Sequence, residues 1–326
     1  MTSLAYTQPG FNPYQPDREI EIKRSPIRAF LNKFSLLGSI GYGRTFYKTE
    51  WEGVDILEHN NRATLLENYT INGNSITYTG IDDWTFNPVS VSNTLTYDST
   101  VNIISADSLI PAYTGSGKNI PFNISLHLDI NRFRVGVGYS REIHGLKTLK
   151  PVEGGLQEYS PVMENTRISK YYFLLGGLVY QWKGWDYHAE INVGKAKYGP
   201  AYSDTLLTNG MYFNFGIPIE YEFSEYFWFF IRPSFEIKNY TLAMPLQYQD
   251  SNIPQTVSYK QPTLYVNFGF RFKFPEIRRC PVKSCRTQLK HVHSQREFRG
   301  QPFYKVQNPK IGELEHWRHK MDWLTK

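Results

Sequence analysis

Near the C-terminus, Cys280-Pro-Val-Lys-Ser-Cys285 is followed by His291-Val-His293. Two thiolates and two imidazoles form a donor set for tetrahedral Zn. The C-x4-C and H-x-H spacings depart from the usual zinc arrangements, however, and an oxidising compartment favours a Cys280–Cys285 disulfide over a metal. A second group of reactive types lies mid-chain: Ser125, His127 and Asp129 recur at every other position, as do His188 and Glu190. On a strand each set shares one face, as acid–base partners must. Alternation produces such coincidences freely, and no G-x-S-x-G nucleophile motif accompanies them. The expectation is therefore a protein with no catalytic residues and no cofactor, apart from the Zn alternative at Cys280, Cys285, His291 and His293.

The elements that carry these residues are strands. Thr263 to Phe274 reads T-L-Y-V-N-F-G-F-R-F-K-F, with Leu264, Val266, Phe268, Phe270, Phe272 and Phe274 on one side and Tyr265, Asn267, Gly269, Arg271 and Lys273 on the other. A period of two marks a half-buried strand. The pattern recurs at about 35–47, 122–130, 133–140, 187–194, 211–222 and 227–238, and more weakly at 170–182. Pro218 and Pro233 fall inside two of these strands, where proline normally signals an edge or a bulge. With 24 Tyr and 21 Phe against 5 Met, the composition favours strands over helical packing. No apolar run approaches the roughly 18 residues of a membrane helix. A membrane barrel needs none, since its strands show lipid only alternate side chains.

The connections carry further information. Tight turns near 129–132, 183–186 and 223–226 alternate strictly with long connections at about 49–120, 147–169, 199–210 and 243–261. Short turns on one side and long loops on the other are the mark of an outer-membrane barrel. Eight strands place both termini on the short-turn, periplasmic side. Residues 1–33 then form a periplasmic lead-in, 34–274 the barrel, and 275–326 a periplasmic tail. Met1 to Asp17 lacks a signal-peptide pattern, so an exported chain with this start would be a mature or re-engineered form. The first long loop holds a hairpin, Tyr69 to Tyr78, with Asn72–Gly73 as its turn signal. This loop reads as a folded cap over the barrel mouth or as a binding element.

Over about residues 34 to 274 the chain resembles the small eight-stranded outer-membrane barrels of the OmpA, OmpX and OmpW type. Its Tyr/Asn/Phe-rich style is also similar to barrels of the Bacteroidota, several of which accompany type IX secretion and gliding machinery. The resemblance implies an outer-membrane location. It departs from that family in continuing for about 50 residues past the Phe-rich last strand.

With the apolar faces toward lipid, the interior carries Asp129, Glu190, Glu220, Glu222 and Glu236 against Arg134, Arg232, Lys238, Arg271 and Lys273. An eight-stranded barrel is only wide enough for side chains, and unpaired buried charge is costly. A balanced set there should pair into a plug; a narrow pore is the alternative, and a lipocalin-like soluble barrel would invert the faces.

Residues 275–326 hold twelve Lys/Arg and five Asp/Glu, a net +7 against +6 for the whole chain, so the remainder stands at −1. The basic character belongs to the tail. Arg278, Arg279, Arg286, Arg296 and Arg299 fit an acidic partner, protein, lipid or cell-wall polymer; nucleic acid is excluded only by compartment. Glu313 to Lys326 reads as a short helix whose stripe of Leu314, Trp317, Met321 and Leu324 needs a partner to be stable. The functional expectation is a non-enzymatic barrel that anchors or scaffolds a complex through its tail. A small porin and a lipid-modifying barrel enzyme are the rivals.

Overall fold

In the computed structural model, the described residues are 26–300 except 52, 61, 106–110, 153–155, 162–164, 183, 224–225, 246–255, 283–290 and 294–295. They fall into two compact units, 34–222 with 227–272, and a second built from the flanking segments and 223–226.

The larger unit is a closed barrel with a sheet folded into its first loop. The wall strands are β1 (Phe34–Glu50), β7 (Ala112–Ile130), β8 (Phe133–Leu146), β10 (Asn165–Trp182), β11 (Trp185–Tyr198), β12 (Leu207–Gly216), β13 (Ile219–Glu222), β14 (Phe227–Ala243) and β15 (Thr256–Lys273). Every neighbour pair is antiparallel and adjacent, and β1 pairs β7 from Phe34↔Leu128 to Glu50↔Ala112, which closes the ring. Closure leaves no unpaired edge, which a lipid environment would not tolerate.

Nine strands make eight walls because β12 and β13 are one strand interrupted at Ile217–Pro218. Pro218 cannot donate to the ladder. The register nevertheless runs through the gap: Glu190↔Gly216 and Tyr187↔Ile219 on one side, Gly216↔Ser234 and Ile219↔Ile231 on the other. The His188 amide bonds the Pro218 carbonyl at 2.9 Å, and the Ile217 amide bonds Pro233 at 3.0 Å. The two prolines interrupt two ladder bonds without shifting a face.

Burial alternates along the wall as the sequence pattern requires. Leu36, Ile40, Phe122, Ile124, Leu126, Val137, Phe173, Leu175, Ile191, Phe213, Phe215, Leu264, Val266, Phe268 and Phe270 are exposed on the outside. Charged and hydroxyl side chains between them point inward and are buried. An apolar belt outside and a polar filling inside is the arrangement of a membrane β-barrel. The weakly patterned strand at 170–182 is β10; it alternates up to Leu175, with Ile168, Lys170, Tyr172 and Leu174 inward, and loses the alternation over Gly176–Trp182, where the register shifts between Leu178 and Tyr180.

The long loop between β1 and β7 forms a five-stranded sheet, ordered β5-β4-β3-β2-β6, from β2 (Ile56–His59), β3 (Arg62–Asn72), β4 (Ser75–Ile81), β5 (Ser90–Thr96) and β6 (Asn102–Ile104). The expected hairpin is its centre: Asn72 pairs Ser75 across a two-residue turn in which Gly73 takes φ +62°. Asp82 to Asn87 then enters the barrel mouth. Trp84, fully buried, stacks on Tyr159 at 4.2 Å and meets Trp51 edge-on, while Phe86 meets Tyr202. The Tyr259 and Tyr240 hydroxyls, from the wall, donate to the carbonyls of Trp84 (2.7 Å) and Thr85 (2.9 Å). One continuous apolar core joins this segment to Leu149, Ala201 and Met244 of the other long connections, with β9 (Lys150–Pro151) edging β7. The loop is a folded cap.

The second unit contains a short helix, α1 (Pro26–Leu31), and a hairpin of β16 (His291–His293) with β17 (Arg296–Phe298). Asn32 Nδ2 donates to the Phe274 carbonyl at 2.7 Å.

Candidate functional site in the barrel lumen

Inward positions of seven neighbouring walls converge on two ion clusters. Arg134, at the start of β8, is the hub of the first. Its Nη1 and Nη2 donate to the two oxygens of Glu220 at 2.6 and 3.2 Å, Nη1 also reaches Glu190 at 2.9 Å, and Nε bonds Asp129 at 3.0 Å. Arg271 closes the ring, binding Glu220 at 2.5 Å and Asp129, and Arg232 bonds the other Glu190 oxygen at 3.2 Å. Bidentate guanidinium–carboxylate pairs are the strongest arrangement of such charges.

The second cluster lies farther toward the cap and is built on Glu142. Lys238 donates to it at 2.8 Å, Lys170 pairs with it, and the Tyr265 hydroxyl donates to it at 2.7 Å. Lys170 also bonds Glu236 at 2.6 Å, and Lys238 lies 3.2 Å from Glu236. His144 sits between Glu142 and Tyr47, which leads into the aromatic core beneath the cap. Asn214 joins the clusters: its carbonyl accepts from Arg232 at 2.7 Å and its amide donates to Glu236 at 3.2 Å.

The two clusters hold five carboxylates (Asp129, Glu142, Glu190, Glu220, Glu236) and five cations (Arg134, Lys170, Arg232, Lys238, Arg271). The balance expected from sequence is present, with two members exchanged. Glu222 and Lys273 lie half-buried at the turn ends of β13 and β15, outside both clusters. Glu142 and Lys170 occupy the places assigned to them. The phase of β8, Arg134-x-Gly136-x-Gly138-x-Ser140-x-Glu142-x-His144, points to Glu142 once the strand is extended past Ser140. Lys170 was hidden by the weak alternation of β10.

Glycines make room for this filling. A β-carbon at Gly216 would collide with the Arg232 guanidinium, and one at Gly138 with the Tyr172 ring. A polar cavity of about 40 Å³ remains between the clusters, bordered by Asn123, Ser125, His127, Asn192, Tyr212 and Asn267. That suffices for a few waters, and the unpaired His127 Nδ1 and Asn192 Oδ1 give them partners.

The reactive-looking groups have the following neighbours. Ser125 Oγ and His127 Nε2 are 2.9 Å apart, but Asp129 is turned to Arg134 and Arg271. Glu190 likewise serves Arg134 and Arg232, and His188 Nε2 lies 3.5 Å from Glu220. Neither set forms a base–orienter pair among these contacts.

In the tail, Arg278, Arg279 and Arg296 are exposed, whereas Arg299 is buried. Arg299 stacks on Tyr226 and donates to its hydroxyl, and its amide bonds the Arg278 carbonyl at 2.9 Å. Its side chain is held within the chain and does not belong with a docking set. Cys280 and His291 are buried. Cys285, Arg286, Trp317, Met321 and Leu324 lie outside the described residues, as does the side chain of His293. Among the described residues no three His, Cys, Asp or Glu converge as metal ligands.

No protein-family model matches the chain, and no curated protein matches it. Similar solved structures include the outer-membrane protease OmpT of Escherichia coli (10% identity, TM-score 0.34, covering 74% of this chain and 96% of that one). OprG of Pseudomonas aeruginosa follows at 8% identity and TM-score 0.36, covering 74% and 96%. The outer membrane protein AlkL in lipid bilayers shows 8% identity and TM-score 0.33, covering 81% and 97%. At such identity no residue's role passes from them to this chain. The closed ring, the apolar belt and the charged interior make the protein an eight-stranded antiparallel membrane β-barrel with a filled lumen.

Proposed function

We propose that this is an outer-membrane barrel whose wall serves as an anchor, holding its cap and basic tail for a partner in a membrane-associated complex, and that it performs no catalysis. The observation that carries the reading is the double closure of the lumen. Ten paired charges fill the middle, and the Trp84 segment with its tyrosine donors fills the mouth. A conducting channel needs a continuous polar path, and an enzyme needs room for substrate beside its acid–base pair. The paired charges and the Trp84 segment support the reading against both. The tail supplies the chemistry of attachment: exposed Arg278, Arg279 and Arg296 suit an acidic protein surface. By the family resemblance, a secretion or gliding assembly of the type IX kind is the complex to examine first.

Two measurements test this. Purified protein in planar bilayers should show no steady conductance; discrete channel openings would support a porin instead. Affinity purification from native outer membranes, with the intact chain and with Arg278→Ala/Arg279→Ala/Arg296→Ala, should recover defined partners only with the former. Recovery of the same partners with both would remove the tail from the mechanism.

A further inference from the structure

The outward face of the barrel is apolar along most of its height, but toward the cap it becomes basic on one side. Arg141 of β8, Ser169 of β10 and Lys197 of β11 lie in one cross-strand row, and Tyr139, Tyr171 and Lys195 form the next row toward the turns. Arg167 stands two residues from Ser169 on the same face of β10. All four cations are exposed. The Tyr139 hydroxyl bonds Ser169 at 3.2 Å and its ring packs on Tyr171 at 5.1 Å, which fixes the floor between the charges. No described Asp or Glu shares the outward face of these three strands at this level, and none of the four cations is in an ion pair with a described residue. Arg44 and Lys118, directly opposed on β1 and β7, form a separate basic pair, divided from this patch by the exposed Ile120, Phe122 and Ile143. Directly toward the turns come Val137, Phe173, Leu175 and Ile191, the upper rows of the lipid-facing belt.

Like charges on neighbouring strands repel, and an anion seated among the four would relieve that repulsion. Their height selects the occupant. A group held by Arg141, Arg167, Lys195 and Lys197 has the aliphatic rows of the belt immediately beneath it. A phosphate with acyl chains attached fits both surfaces at once, whereas a soluble anion uses only the upper one. Tyrosines at the boundary suit the same zone, since they place a ring in lipid and a hydroxyl at the headgroups.

We infer that the outward patch of Arg141, Arg167, Lys195 and Lys197 binds the phosphate-bearing headgroup of a lipid in the leaflet on the cap side. The inference rests on the membrane reading of the barrel but not on the scaffold role.

The test begins with flotation of the full-length protein in phosphatidylcholine liposomes, which establishes insertion for the wild type and each variant. Native mass spectrometry in detergent then follows titration with phosphatidic acid or phosphatidylcholine. Phosphatidic acid should bind the wild type preferentially, and Arg141→Gln, Arg167→Gln, Lys195→Gln and Lys197→Gln should each weaken it by about fivefold. Lys260→Gln, on the outward face of β15, should leave it unchanged. Equal binding of the two lipids, or undiminished phosphatidic acid binding in the fourfold variant, overturns the proposal. So does full displacement by inorganic phosphate, which would mark a soluble anion site. Failure to float would instead count against the membrane reading itself. Because all four side chains are exposed on the outer surface, the single variants report even if the fourfold variant does not fold.

Discussion

Arg134 and Glu220 meet as a two-point pair in the barrel interior, with N–O distances of 2.6 and 3.2 Å and at most 2% of either side chain exposed. Arg134 also serves Glu190 and Asp129, so its removal leaves three carboxylates competing for Arg232 and Arg271. Breaking a buried pair on one side costs about 3–5 kcal/mol, whereas removing both partners costs far less. Arg134→Met should therefore lower the urea midpoint of the folded barrel strongly. Arg134→Met/Glu220→Met keeps Asp129 with Arg271 and Glu190 with Arg232, and should recover most of the loss. Equal destabilisation of the two variants would contradict the network.

Gly216 faces the Arg232 guanidinium with no space for a side chain. Gly216→Leu should displace Arg232 from Glu190 and Asn214 and cost about 1–3 kcal/mol as overpacking. Gly73→Ala, in the exposed cap turn at φ +62°, should instead cost about 1 kcal/mol and leave the barrel's own midpoint unchanged. Unfolding followed separately by cap proteolysis and barrel gel mobility distinguishes the two.

Closure is in two layers, so opening one should not suffice. Trp84→Ala deletes a fully buried ring and should loosen the cap by about 3–5 kcal/mol. Conductance should still be absent, because the ion clusters remain. Channel openings in planar bilayers should require loss of both ion clusters as well, as in Trp84→Ala combined with Arg134→Ser/Glu220→Ser and Glu142→Ser/Lys170→Ser. Openings with Trp84→Ala alone would show that the cap is the sole barrier.

The cap carries a buried carboxyl, Glu58, and a half-buried one, Asp83. Burial raises the pKa of both, against hydrogen bonds from Gln157 and Asn102 to Glu58 and from Tyr159 and Thr85 to Asp83, which lower it. A carboxyl that holds its proton more tightly when folded makes the folded state the better proton binder. Its contribution is then greatest below the ordinary carboxylate pKa of ~4 and is lost as pH rises through the raised folded value. Cap protection from protease should accordingly fall from acidic toward neutral pH while the barrel is unaffected. Glu58→Gln/Asp83→Asn should flatten that dependence; an unchanged profile would assign it elsewhere.

The wall of the barrel was legible in the chain because a strand in a membrane has only two environments. Lipid on one side and packed polar groups on the other write a period of two into Phe122–Ile130 and Thr263–Phe274, and the alternation of short and long connections gives their order. The total balance of charge inside follows from the cost of leaving any of it unpaired. The identity of the partners does not follow. Arg134 meets Glu190 and Glu220 across 56 and 86 residues, and Lys238 meets Glu142 across 96, because closure of the ring brings the walls into a common interior. Membership is set by height along the barrel as well as by face, which is why Glu222 and Lys273 fall outside while Glu142 and Lys170 fall within. Height depends on register, and the register across Pro218 or between β1 and β7 is fixed by backbone hydrogen bonds that no single strand encodes. The Trp84 plug belongs to the same class: sequence marks Asp82-Asp83-Trp84 as part of a long loop, and only the packed mouth, with Tyr240 and Tyr259 donating to its carbonyls, makes it a stopper.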